Sequence, residues 1–243
     1  MKRSYVVGGA VLAVVVLFMN LNLFKTIYLI AQVTPAYEQK GSGDRRILIL
    51  GDSTGYGTGA KRSTESIAGL IGATYPDVTI INNSRNGRTA SELRGGLSTL
   101  EGSYDIILLQ IGANDLLQHE PPAQIVAEIE NIVSILKQHT ERVIVMTGSN
   151  IGGAARFEGQ KKKTYTDRSR EFDQLMTRAA AESGQFQFVT LFEEPGVDPF
   201  VLHPEINTSC DGLHPTSAGY ALWYADLEPI LKANLEGGLQ DKK

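Results

Sequence analysis

Five short runs of apolar residues alternate along the chain with longer stretches whose apolar positions recur every three or four residues. The short runs are typical of parallel strands that are buried on both faces, and the longer pattern is typical of helices that pack on such a sheet. The predicted strands are 45–50, 78–82, 104–111, 142–147 and 186–192. This alternation predicts a three-layer α/β/α domain with a five-stranded parallel sheet.

Three helices are predicted after the third, fourth and fifth strands. Pro121 and Pro122 open the first, the second covers about 166–183, and the third starts after Pro215. The run Lys161–Lys163 is then expected in the loop before the second helix, as a solvated charge cluster. Contact of these lysines with anionic lipid headgroups or an acidic substrate is the open alternative.

A different pattern occupies the start of the chain. From Ser4 to Phe24 no charge interrupts an apolar run, which is just long enough to cross a bilayer as a helix. Lys2 and Arg3 precede the run, and no small-residue cleavage site follows it closely. We therefore predict that residues 1–33 are a transmembrane signal anchor that leaves the domain on the extracytoplasmic side. Secretion after cleavage of a signal peptide is the alternative.

The remaining boundaries follow from composition. Residues 34–44, with Gly-Ser-Gly at 41–43, are expected to be a flexible tether. Residues 45–236 are long enough for one domain with a sizeable core, and 237–243 form a C-terminal tail.

Charge and cysteine content exclude several classes of protein. The net charge of the chain is −4, without the basic excess of a nucleic-acid-binding protein. Cys210 is the single cysteine, which excludes an internal disulfide and a Cys-rich zinc site, and we expect it to be buried. No His, Cys and Asp residues stand at ligand spacing, so no metal or other cofactor is predicted. The oligomeric state is left open.

Four clusters of polar residues follow predicted strands and are expected to lie at the same edge of the sheet. The clusters are 51–55, 82–88, 112–115 and 211–215. Ligands of such sheets bind beyond the carboxyl ends of the strands, and the clusters follow the first, second, third and fifth strands. They supply a hydroxyl, a small backbone donor, a side-chain amide and an acid–imidazole pair.

These are the groups that acyl transfer requires. Ser53 can attack a carbonyl carbon once His214 removes its proton, and Asp211 can orient the imidazole. The backbone N–H groups of Ser53 and Gly87, together with the Asn114 amide, can stabilise the oxyanion. The neighbouring Asp52 and Asp115 are expected to bond to nearby backbone instead.

The four clusters, in this order, resemble the SGNH (GDSL-type) hydrolase family. They are Gly-Asp-Ser with Ser53, the segment with Gly87, Gly-Ala-Asn-Asp with Asn114, and Asp-Gly-Leu-His-Pro with His214. Thr54 stands where the family often has leucine. The resemblance implies a flavodoxin-like sheet and a serine esterase that forms an acyl-enzyme.

Other interpretations of the same residues fit less well. Gly-Asp-Ser-Thr-Gly also matches the nucleophile elbow of α/β-hydrolases, but that fold places several strands before its elbow. A phosphate-binding loop would need the P-loop lysine, which the spacing at 59–62 does not provide. His119 and His203 lie in loops, and His139 ends a helix, where a surface role is expected.

The expected substrate is a carboxylic ester of a small molecule, lipid or glycan. Acyl transfer to, or O-acetyl ester cleavage on, cell-envelope sugars would use the same residues and is one alternative. A non-catalytic binding module on the same fold is the other. Chain length and alcohol are left open, because one fold serves many substrates.

Overall fold

The sheet sets the layout of the domain. The computed structural model describes residues 21, 23–147 and 149–236. Its strands are β1 (Arg46–Gly51), β2 (Thr79–Asn82), β3 (Ile106–Gln110), β4 (Val143–Thr147) and β5 (Gln187–Thr190). All neighbours are parallel, in the order β2-β1-β3-β4-β5. The predicted five-stranded parallel sheet is confirmed.

The position of β1 determines where a ligand can bind. Leu48 of β1 pairs with Ile81 of β2 on one side and with Ile107 of β3 on the other. The chain therefore leaves β1 in one direction to form β2 and crosses back over it to form β3. Such a reversal of strand order opens a crevice beyond the carboxyl ends of β1 and β3. Residues 51–55 lie at the carboxyl end of β1.

Helices cover both faces of the sheet. The longer ones are α2 (Ile67–Thr74), α5 (Pro122–Leu136), α6 (Gly159–Ser183) and α9 (Ser217–Glu236). The shorter ones are α1 (Ser53–Tyr56), α3 (Ala90–Gly96), α4 (Ala113–Leu117), α7 (Pro199–Leu202) and α8 (Pro204–Asn207).

Alternate residues of each strand enter two separate cores. Leu48 and Leu50 of β1 face the core formed with α3, α5 and α6, whereas Ile47 and Ile49 face the core formed with α2 and α9. All four side chains are buried. Burial on both faces explains why β1 is continuously apolar in the sequence.

Helix α6 begins earlier than predicted. It starts at Gly159, so Lys161–Lys163 lie in its first turns and not in a loop, which corrects the prediction. Positive charge near a helix N-terminus is unfavourable, and the apolar periodicity begins only after it. An ion pair between Lys163 and Asp167, four residues apart, lies on the exposed surface of this turn.

Residues 36–43, predicted as part of a flexible tether, lie against the edge of β2. Gln39 and Ile80 exchange two backbone hydrogen bonds of 3.0 and 2.8 Å. The Gln39 amide also donates to the carbonyls of Tyr75, Pro76 and Val78. These bonds attach the segment to the sheet and cover the unpaired edge of β2.

Most of the predicted membrane anchor, and the C-terminal tail 237–243, lie outside the described residues. Within the described ranges, no helix has the length and apolar character needed to span a bilayer. Residues 23–32 are helical and are called the N-terminal segment below. Its Leu29 and the following Val33 are buried, while Leu23, Phe24, Ile27 and Tyr28 are exposed.

Candidate active site

Ser53 lies at the carboxyl end of β1, on the first residue of α1. Asp52 caps this short helix, because its Oδ1 accepts hydrogen bonds from the backbone N–H and the hydroxyl of Thr54. The Asp52 backbone N–H donates to Gln110 O at the end of β3. The serine is thus held by two strands and a cap, with its hydroxyl directed into the crevice.

Ser53, His214 and Asp211 form a continuous hydrogen-bonded set. The distance from Ser53 Oγ to His214 Nε2 is 2.9 Å, and His214 Nδ1 lies 2.6 Å from Asp211 Oδ2. Asp211 and His214 are buried, and Ser53 is half-buried. An acceptor on Nδ1 leaves Nε2 free to take a proton from the serine.

The Asp211 carboxylate accepts several hydrogen bonds. Its Oδ1 accepts from Ser209 Oγ and from the backbone N–H groups of Leu213 and His214, at 3.0–3.1 Å. Burial acts to raise the pKa of Asp211, but the bond and charge of His214 and these N–H donors outweigh it and hold the pKa well below its ordinary value. Asp211 is therefore a carboxylate that can accept the hydrogen bond from His214 Nδ1.

Gly59 allows the histidine loop to approach α1. It has a φ of +101°, and a Cβ there would lie 2.2 Å from Pro215 O and 3.0 Å from the Cβ of His214. Only glycine fits this contact without displacement of the loop. Tyr220 of α9 supports the same junction by donating to Thr58 O.

Two of the predicted oxyanion donors also line the crevice. Gly87 has a φ of +77° and lies in the loop after β2, while Asn114 belongs to α4 after β3. One N–H of the Asn114 amide donates to Arg88 O at 3.0 Å, which ties the two loops together. The second N–H of that amide is the one that can serve an oxyanion.

The crevice contains a cavity of about 220 Å³ beside Ser53 and His214. Its polar lining includes Ser53, Gly87, Asn114 and His214. Its apolar lining includes Ile30, Leu117, Ile151, Ala154, Phe200 and Trp223. A polar reactive end next to an apolar pocket suits an ester with a hydrocarbon portion.

Sequence reasoning did not single out several of the lining residues, among them Thr26, Ile30, Leu117, Ile151, Ala154 and Trp223. Thr26 and Ile30 belong to the N-terminal segment, which was assigned to the membrane anchor alone. The signal that could have found them is the spacing of Thr26, Leu29, Ile30 and Val33, which places these four on one helical face.

The remaining candidates lie away from the reactive serine. His119 stacks on Tyr165, His139 bonds to Gly102 O, and His203 is exposed beside Glu205. Cys210 is exposed, so its predicted burial is wrong: it sits in the turn whose inward-facing positions are Ser209 and Asp211.

Asp115 has a structural contact. Both of its carboxylate oxygens accept from the Ala90 backbone N–H, at the start of α3. In the described part of the chain, no group of three or more His, Cys, Asp or Glu side chains could hold a metal ion.

A three-layer domain with a Ser–His–Asp set at the switch point of a parallel sheet has the architecture of an SGNH hydrolase. The chain belongs to the GDSL-like Lipase/Acylhydrolase family, whose sequence model matches residues 49–222. It is a hydrolase that acts on ester bonds.

Individual relatives agree with this assignment. The chain is 29% identical over 175 residues to an arylesterase from Vibrio mimicus, which covers 70% of this chain and 80% of that protein. The fold of this chain is similar to that of a lipolytic G-D-S-L family protein from Veillonella parvula, with a TM-score of 0.62 and 16% identity. The match covers 76% of this chain and 97% of that protein. A catalytic mutant of an acetylxylan esterase from Geobacillus stearothermophilus has a TM-score of 0.55 and 18% identity, with coverage of 78% and 94%.

The buried Asp52 generates a prediction about stability. Burial raises the pKa of Asp52 to about 6, against the lowering effect of the Thr54 hydrogen bonds. Among the described residues, no hydrogen-bond donor lies within bonding distance of Asp52 Oδ2. Because the folded protein binds this proton more tightly than the unfolded chain, the contribution of Asp52 to stability falls as pH rises from about 4 to about 6.

Asp52→Asn should therefore gain stability over the wild type as pH rises, by about 3 kcal/mol at most between pH 4 and pH 8. Urea unfolding at pH 4, 6 and 8 measures this difference, with the exposed Asp44→Asn as the control. A difference between Asp52→Asn and the wild type that is independent of pH would contradict the assignment of a strained, buried carboxyl.

Proposed function

We propose that this protein is a serine esterase that hydrolyses carboxylic esters through an acyl-enzyme on Ser53. The observation that carries the proposal is the 2.9 Å contact between Ser53 Oγ and His214 Nε2, with Asp211 on the other ring nitrogen. A serine hydroxyl is a poor nucleophile on its own, and this contact gives its proton a base to move to.

In the first half-reaction, Ser53 Oγ forms a bond to the carbonyl carbon while its proton moves to His214 Nε2. The C=O electron pair moves to oxygen, which becomes an oxyanion. When that pair returns, the bond to the alcohol oxygen breaks and the leaving alcohol takes the proton from His214. Water then attacks the acyl-enzyme with the same proton transfers, which releases the acid and restores the Ser53 hydroxyl.

The oxyanion requires donors that are in place before the reaction. In our proposal these are the backbone N–H groups of Ser53 and Gly87 and the free N–H of the Asn114 amide. The bond from Asn114 to Arg88 O supports the role, because it restrains the amide before substrate binds.

The cavity favours an ester with a short or medium acyl group. Its volume of about 220 Å³ lies below the roughly 300–1,000 Å³ of pockets for drug-sized ligands. The similarity to an arylesterase from Vibrio mimicus over most of this chain supports an aryl group on the alcohol side. Transfer of the acyl group to another alcohol, in place of water, would use the same residues.

We further propose that the domain is held at a membrane, on the extracytoplasmic side, by an uncleaved N-terminal helix. The outer side chains Leu23, Phe24, Ile27 and Tyr28 of the N-terminal segment are exposed, and Leu23 and Phe24 end the uncharged apolar run that begins at Ser4. The inner face packs on the domain through Leu29, which supports retention of the segment in the mature protein.

Removal of the nucleophile tests the mechanism. Ser53→Ala should abolish both ester hydrolysis and labelling by a fluorophosphonate probe, because no other group takes over the attack on phosphorus. Ser91→Ala, which changes an exposed serine of α3, is the matched control and should label like the wild type. Labelling that persists in Ser53→Ala would contradict the assignment.

Removal of one oxyanion donor tests the transition-state role. Asn114→Ala should lower kcat by about 10²–10³-fold and leave KM nearly unchanged, because the bond forms fully only with the oxyanion. Steady-state kinetics on p-nitrophenyl acetate measure both constants, and Asn131→Ala on the exposed side of α5 is the control. A change confined to KM would assign Asn114 to substrate binding.

Fractionation tests the location. Expressed at full length in a Gram-negative host, the protein should remain with membranes after an alkaline wash and be degraded by protease added to spheroplasts. Its intact mass should include residues 1–33. A soluble periplasmic product that lacks these residues would instead establish the secreted alternative.

A further inference from the structure

The N-terminal segment reaches the reactive centre, although it precedes the family domain. Thr26 and Ile30 line the cavity beside Ser53 and His214, and both lie outside the matched residues 49–222. With the buried Leu29 and Val33 they form the inner face of the segment, at positions that a helix brings together. The packing of Leu29 and Val33 fixes where Thr26 and Ile30 point.

Thr26 makes a direct bond to the carboxylate of the Ser–His–Asp set. Its Oγ1 donates to Asp211 Oδ2 at 3.1 Å, across 185 positions of sequence. The same oxygen accepts from His214 Nδ1 at 2.6 Å. Among the described residues, the three other donors to Asp211 all meet Oδ1. Thr26 is thus the second donor on the oxygen that holds the imidazole.

A second donor on Oδ2 has two physical consequences. It fixes the rotation of the carboxylate and hence the direction in which His214 presents Nε2 to Ser53. It also withdraws negative charge from the oxygen that attracts the protonated imidazole, which adjusts how readily His214 releases its proton to the leaving alcohol.

Ile30 has a different position. It is one of the apolar residues that line the cavity, and all the lining residues other than Thr26 and Ile30 lie between positions 53 and 223. Since the cavity is small, one side chain on its wall limits the length of acyl chain that can enter. Ile27, three positions earlier in the same helix, is exposed and does not line the cavity. It therefore serves as a control residue of the same type.

We propose that the N-terminal segment is a working part of the active site, with Thr26 as a positioning residue for Asp211 and Ile30 as a specificity-determining residue for the acyl chain. The proposal rests on the proposed Ser53–His214–Asp211 mechanism. It gives the segment a role at the reactive centre in addition to attachment of the domain.

The test of Thr26 uses the full-length protein and two variants. Thr26→Val keeps the branched shape and removes the donor, whereas Thr26→Ser keeps the donor. For p-nitrophenyl acetate, Thr26→Val should lower kcat about tenfold with little change in KM, and Thr26→Ser should stay near the wild type. The acidic limb of the pH profile of kcat/KM for Thr26→Val should move to higher pH, because Asp211 without the Thr26 donor attracts the protonated imidazole more strongly. A merely structural role would leave that limb in place.

The test of Ile30 compares the kcat/KM values for two substrates that differ in acyl length. Ile30→Ala should raise kcat/KM for p-nitrophenyl octanoate relative to the acetate by about tenfold, and Ile27→Ala should leave the ratio unchanged. An equal ratio in all three proteins would overturn the specificity role.

Fluorophosphonate labelling separates this inference from the proposed function. If the wild type labels at Ser53 while Thr26→Val keeps its kcat and its pH profile, the positioning role is wrong and the serine mechanism stands. If the wild type fails to label at Ser53, the proposed function itself is wrong.

Discussion

The site depends on one contact, between His214 Nε2 and Ser53 Oγ, which lie 161 positions apart in the sequence. Ser53 is fixed by β1 and the Asp52 cap, and His214 by the turn that begins at Ser209. The two loops can meet only because Gly59 leaves room for Pro215. The parallel sheet supplies the rest of the geometry, since it delivers the loops with Gly87 and Asn114 to the same edge.

Local patterns were sufficient to predict the sheet and the residues that follow its strands. Continuous apolar runs indicate doubly buried strands, and the carboxyl ends of parallel strands share an edge, so the positions of Ser53, Asn114 and His214 followed from chain order. The start of α6 could not be predicted in this way, because Lys161–Lys163 lack apolar periodicity. In the structure, Lys163 forms an ion pair with Asp167 of the same helix. The exposure of Cys210 also depends on a turn whose orientation no local pattern encodes.

The contacts of the N-terminal region were the least predictable. Gly and Ser at 41–43 suggested a tether, yet Gln39 pairs with the edge of β2. This pairing depends on the tertiary structure, because the free edge of the sheet exists only in the folded domain. An apolar run next to basic residues predicts a membrane helix, and that prediction gave no indication that Thr26 and Ile30 line the cavity. The bond between Thr26 and Asp211 links positions so far apart in sequence that only the folded chain reveals it.

In our proposal, the reactive centre of the family domain is completed by a helix that precedes the domain. A crystal structure of the full-length protein after reaction with an alkyl phosphonate tests this most directly. We predict phosphorus bonded to Ser53 Oγ, a phosphonyl oxygen within hydrogen-bond distance of Ser53 N, Gly87 N and Asn114 Nδ2, and the alkyl chain against Ile30. Phosphorus on another residue, or an alkyl chain directed away from the N-terminal segment, would contradict the account.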